Sequence, residues 1–114
     1  MSTNALQVQG LERIDIQKHD LSVPGREVIQ NRVELSPEAP AFKHFHHGEE
    51  ISYVLEGELE WRIEGKPPRT VTAGEALMVP ARAVHAVKNV GSRGGAILAT
   101  YVVEKDKPLI TLAE

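Results

Sequence analysis

Cysteine is absent from the chain. That excludes a disulfide framework, thiolate metal ligands and a cysteine nucleophile. Also missing is any run approaching the roughly 20 apolar residues that a membrane-spanning helix requires. The first ten residues carry neither the basic stretch nor the apolar centre of a secretory leader. The expectation is a soluble, cytoplasmic protein with no membrane partner. Charge of one sign is lacking too: 13 Lys and Arg stand against 16 Asp and Glu, a net −3. No basic stripe interleaved with aromatics occurs, which argues against nucleic acid as a partner. There is no long 3.6-residue apolar period and no internal repeat of about 20–50 residues.

What remains is a chain of 114 residues, 41% of them hydrophobic, which excludes global disorder and fits one domain. Short β-type runs lie between Gly and Pro punctuation, at 12–16, 27–35, 41–46, 51–55, 58–63, 69–72, 76–79, 84–88 and 96–103. Their recurrence every 8–12 residues or so is the spacing of sandwiches and barrels, so the expected class is all-β. Glu56-Gly57-Glu58 reads as a tight hairpin, and Gly65-Lys66-Pro67-Pro68 as a second turn. Ser36-Pro37 opens like a helix, but Pro40 stops it within one turn. The expected division is an N-terminal arm and first strand over 1–25, a barrel over 26–103 and a C-terminal arm over 104–114. The arms fray or pack on a neighbouring subunit.

Strand faces carry more information. Leu59, Trp61 and Ile63 alternate with Glu58, Glu60, Arg62 and Glu64, giving one dry and one wet face. The runs 96–103 and 51–55 are apolar on both faces. Two-sided burial in an antiparallel sheet needs a second layer, and in a chain this small a second copy supplies it. A homodimer is therefore expected.

Three of the five histidines, His44, His46 and His47, lie within four residues. Period two sets His44 and His46 on one strand face, with Phe45 on the other. Glu50 follows the short turn His47-Gly48-Glu49. His85 sits far downstream among Val84, Ala86 and Val87, while His19 reads as a solvated surface residue. Three imidazoles and a carboxylate suit one divalent transition metal: Fe, Mn, Ni, Co, Cu or Zn. Taken singly, though, a His-x-His pair on a strand is more often an exposed pair, and Glu50 a solvated charge.

The stretch from His44 to Gly57, His-Phe-His-His-Gly-Glu-Glu-Ile-Ser-Tyr-Val-Leu-Glu-Gly, resembles the first cupin motif, G-x5-H-x-H-x3,4-E-x6-G. The stretch from Gly74 through Pro80 and His85 to Asn89 resembles the second, G-x5-P-x-G-x2-H-x3-N. Glu38 and Arg82 stand where two of the motif glycines would. The resemblance spans about residues 26 to 103. It implies a double-stranded β-helix, or jelly-roll barrel, that often dimerises. It implies metal ligation by His44, His46, Glu50 and His85 near the open mouth. Asn89 is expected to order the turn after its strand. The replacement of a turn glycine by Arg82 implies local strain.

Function is left among three classes. The first is a metal-dependent oxygenase acting on a small enolisable or aromatic compound, with Glu50 doubling as a candidate base. Val54, Trp61, Met78 and Val87 are candidate pocket residues, and His47 a rim or gating residue. The second is non-redox isomerase, cyclase or lyase chemistry on the same ligands. The third is a small-ligand binding or sensing module without catalysis. Glu49, Glu56 and Glu60 are candidate carboxylate partners for the ligand rings. Metal affinity is expected to fall below about pH 6.5, where free imidazole takes a proton.

Overall fold

The computed structural model describes residues 8–113. Its strands are β1 (Leu11–Asp20), β2 (Arg26–Leu35), β3 (His44–Phe45), β4 (Gly48–Glu56) and β5 (Glu58–Ile63), followed by β6 (Arg69–Thr72), β7 (Ala76–Val79), β8 (His85–Asn89), β9 (Gly95–Glu104) and β10 (Thr111–Leu112). They form two antiparallel five-stranded sheets, ordered β1-β2-β9-β4-β7 and β10-β3-β8-β5-β6. The fold is an all-β jelly-roll barrel, as the motif resemblance implies.

Alternation sets the inner faces. Glu27, Ile29, Asn31, Val33 and Leu35 of β2 are buried, as are Gly48, Glu50, Ser52 and Val54 of β4. Leu59, Trp61 and Ile63 of β5 and Val71 of β6 meet them from the other sheet, while Val79 of β7 and Ile97 and Tyr101 of β9 complete the first sheet's inner face. Each fully buried side chain of this size contributes roughly 1.5–3 kcal/mol. The dry and wet faces expected for β5 are the observed ones.

Glu56-Gly57-Glu58 is not a hairpin. β4 lies in the first sheet and β5 in the second, so this bend carries the chain from one sheet to the other. A tight Gly-centred bend looks the same in sequence whether its flanking strands pair or part. Gly57 takes φ +90°, and a Cβ there would lie 3.0 Å from the backbone of Gly94 and Gly95. By contrast, the Gly65–Pro68 turn joins β5 and β6, which do pair. The 36–40 segment is a turn, pinned by Lys88 Nζ donating to the carbonyls of Pro37 and Ala39 at 2.9 Å each.

Residues 1–7 of the expected N-terminal arm lie outside the described residues, and the described parts of both ends pair within the barrel. β1 pairs with β2 along its whole length. Beyond β9, Leu109 and Ile110 are buried and β10 pairs with β3, so this segment closes over its own barrel. The run Leu109-Ile110-Thr111-Leu112 carries β-type residues, but which strand it joins is set by the fold. Outward-facing Ile51, Tyr53 and Met78 are 47%, 44% and 54% exposed, so the second face of β4 is open in the single chain. Ile51 lies directly opposite Met78.

Candidate metal centre

β3 and β8 are neighbours in the second sheet, and their single registered pair is His44 opposite His85. This pairing joins two histidines that are remote in sequence. His46, just past β3, packs its ring 5.0 Å from that of His44 and 5.1 Å from that of His85. All three are buried, and their ligating nitrogens lie within 4.8 Å of one another.

Each ring is oriented the same way. His44 Nδ1 donates to the Phe42 carbonyl at 3.1 Å, His46 Nδ1 to Leu109 at 2.7 Å and His85 Nδ1 to Ala83 at 2.9 Å. Backbone carbonyls, not Glu49, Glu56 or Glu60, therefore fix the tautomers. Glu56 and Glu60 face outward to Arg32 and Arg62. With Nδ1 protonated, each Nε2 offers a lone pair inward. Burial first, then the neighbouring His85 and His46, pushes the His44 pKa down to about 3, so this ring is neutral at ordinary pH.

Glu50 arrives from the first sheet. Period two along β4 turns it inward, and Ser52 Oγ donates to its Oε2 at 2.6 Å. Its Oε1 lies 3.0 Å from His46 Nε2 and 3.4 Å from His85 Nε2. Burial alone would raise its pKa, but the two histidines outweigh burial and hold it well below the usual carboxylate range. The Nε2 atoms of His46 and His85 are buried without an aligned hydrogen bond. With a proton on Nε2 the imidazoles bond the carboxylate and hold its pKa down, and where those protons are gone a cation takes their place between the lone pairs and the carboxylate. A divalent ion fits this donor set.

Two further site-facing residues escape a reading of the sequence. Tyr101 of β9 lies opposite Glu50, with its ring 4.8 Å from that of His46. Arg13 of β1 donates through Nη1 to the Tyr101 hydroxyl at 3.1 Å. Burial, then the Glu50 charge, pushes the tyrosine pKa up to about 12, so the hydroxyl keeps its proton. Both residues border a cavity of about 40 Å³ that also touches His44, Glu50, His85, Phe42 and Val87. Nothing in the local pattern sets Tyr101 apart from its apolar neighbours, and only register shows that Arg13 shares a face with Val33.

Of the candidate pocket residues, Val87 borders this cavity. Val54 and Trp61 are fully buried core residues that do not line it. Met78 points outward from β7, where alternation puts Leu77 and Val79 inside. His47 stacks edge-on against Phe45, with ring centroids 5.4 Å apart. Asn89 orders its turn, donating to Leu35 and Arg93 and accepting from Gly91 N–H. Arg82 holds the left-handed conformation of the glycine it replaces, φ 62°, with its guanidinium paired to Glu104. Its backbone N–H donates to the His46 carbonyl at 3.0 Å, so the strained turn abuts the site.

The cupin-domain family model matches residues 31–102. The DMSP lyase DddQ from Ruegeria pomeroyi DSS-3 is 25% identical over 75% of this chain and 43% of its own, with a TM-score of 0.67. Oxalate oxidase in complex with the substrate analogue glycolate is 25% identical over 99% of this chain and 59% of its own, with a TM-score of 0.71. The chain thus spans about half the length of these two proteins. The polyketide cyclase RemF from Streptomyces resistomycificus, 21% identical over 93% of this chain and 72% of its own, shares the fold at a TM-score of 0.71. No curated protein matches in sequence.

Proposed function

Because the chain belongs to the cupin family, we propose that it is a metal-dependent enzyme that turns over a small enolisable compound by oxygenase-type chemistry at His44, His46, Glu50 and His85. The observation that carries this reading is the convergence of three buried imidazoles, with a buried carboxylate against two of them, beside a cavity that His44, Glu50 and His85 line. A bound Fe, Mn, Ni, Co, Cu or Zn ion supplies Lewis acidity toward substrate oxygens and, where redox-active, electrons for dioxygen.

The chain's own groups do the remainder. The three Nδ1–carbonyl bonds hold the rings in place before any ligand arrives. Leu11, Phe42, Val87 and Ile97 form an apolar wall facing the polar groups of the cavity. Glu50 is ionised and accepts a proton from an acidic carbon beside it. The Tyr101 hydroxyl donates a hydrogen bond to a developing oxyanion. The cavity, about 40 Å³ and open on one side, favours small compounds.

A second reading, non-redox lyase, isomerase or cyclase chemistry, is favoured by the presence of both a base, Glu50, and a proton donor, Tyr101, in one cavity. One experiment separates the two. Protein purified without added metal is assayed for bound metal by elemental analysis, then for turnover of small enolisable carbonyl compounds. Oxygen uptake that needs substrate and disappears in His46→Ala is the expected result. Turnover under strict anaerobiosis favours the second reading. Bound metal with tight ligand binding and no turnover in either gas overturns the enzyme assignment in favour of a binding module.

A further inference from the structure

Arg13 occupies a position that packing alone does not explain. It faces inward from β1, opposite Val33, and borders the cavity. A guanidinium has five N–H donors. Nη1 serves the Tyr101 hydroxyl, while Nε is buried with no hydrogen-bond partner. Among the described residues no ion pair involves Arg13. Leu11, Leu35, Phe42 and Ile97 line the apolar side of the cavity, and among its polar residues, His44, Glu50, His85 and Tyr101, only Tyr101 bonds the guanidinium. A buried donor left unmatched on a charged group is costly, and such a group persists where a ligand completes it. The segment that carries Arg13 lies outside the family match at residues 31–102, so this cation is a contribution of the chain's own first strand.

We infer that Arg13 binds a substrate carboxylate, so that the site selects small carboxylic acids whose second oxygen faces the histidine–glutamate cluster. The inference rests on the metal-site reading above. With a divalent ion and Glu50 the site carries about +1, which already draws an anion in, and Arg13 adds a second cationic group that fixes where the carboxylate end lies. Planar guanidinium matches carboxylate geometry with two parallel bonds, which also fixes which end of the ligand points at the cluster. The cavity volume of about 40 Å³ favours a compact ligand whose second oxygen lies close to its carboxylate.

The alternative role for Arg13 is that of a prop for Tyr101, which would be blind to ligand charge. Cobalt(II)-loaded protein is titrated with glycolate and with its neutral counterpart glycolamide, following the cobalt visible spectrum, and cobalt stoichiometry is measured by elemental analysis. Wild type is expected to bind glycolate about 10- to 100-fold more tightly than glycolamide, the range of a charge-assisted hydrogen bond. Arg13→Met is expected to reduce that preference at least tenfold while leaving cobalt stoichiometry unchanged. Arg13→Lys keeps the charge without the fork and is expected to fall between. Equal affinity for both probes in wild type, or equal weakening of both in Arg13→Met, overturns the inference alone. If wild type takes up no cobalt, the metal-site reading fails and this inference falls with it.

Discussion

At the scale of single residues, burial decides protonation. His44, with its pKa pushed down to about 3, stays neutral in the folded chain while the unfolded chain protonates it near the ordinary 6.5. The unfolded state therefore binds more protons below about pH 6.5, and stability falls as pH drops from there toward 3. Glu50, held low, adds to the same trend: its contribution is present above the ordinary carboxylate value of 4.5 and is lost as pH falls. Chelator-treated protein is predicted to melt progressively lower from about pH 7 to about pH 4. A flat or rising trend in thermal scans would refute this. The depressed His44 also refines the expectation that metal loss sets in near pH 6.5, since this ligand offers its lone pair well below that point.

Gly48 is a second residue-scale constraint. A Cβ there would lie 1.9 Å from the Val102 carbonyl oxygen and 2.6 Å from the Val103 Cα, both backbone atoms that cannot swing aside. The His47-Gly48-Glu49 segment is thus a close strand approach, two residues before Glu50, and not a loose loop. Gly48→Ala is predicted to destabilise by about 1–3 kcal/mol, the usual cost of overpacking, and to weaken metal uptake. Denaturant titration and metal stoichiometry measure the two effects. A variant as stable as wild type would show that β4 can move away from β9.

Elements bring the ligands together. His44 and His85 meet because β3 and β8 pair, and His46 is aimed by a carbonyl of the segment leading into β10. Leu109, 2% exposed, anchors that segment in the core. Leu109→Ala is predicted to cost about 2–5 kcal/mol and to lower metal affinity by roughly 10- to 100-fold, as loss of ring orientation does elsewhere. Competition with a chromogenic chelator reads the affinity. Unchanged affinity alongside lower stability would show that His46 holds its orientation without the C-terminal strand.

For the whole molecule, the open outer face of the first sheet is the main unanswered demand of the sequence. Ile51, Tyr53 and Met78 are exposed together there, beside half-buried Leu98 and Val102. The homodimer expected from two-sided apolar strands is proposed to cover this face, since a small chain gains stability by burying such a patch against a copy of itself. Ile51→Lys combined with Met78→Lys is predicted to shift sedimentation from dimer to monomer with the barrel intact by circular dichroism. Wild type sedimenting as a monomer would remove the proposal. Among the described residues no helix is long and apolar enough to cross a membrane.

Local chemistry, legible along the chain, determined the β class, nine of the ten strands, the dry face of β5 and the residues that bear ligating atoms. Alternation and turn residues act between near neighbours, and a sequence displays near neighbours directly. Tertiary structure alone decided that the bend at Gly57 changes sheets, that Leu109 orients His46, that Met78 faces out, and that Arg13 and Tyr101 share a cavity with Glu50. Those outcomes depend on which strands hydrogen-bond and in what register, and registry is settled by the packing of the whole barrel at once.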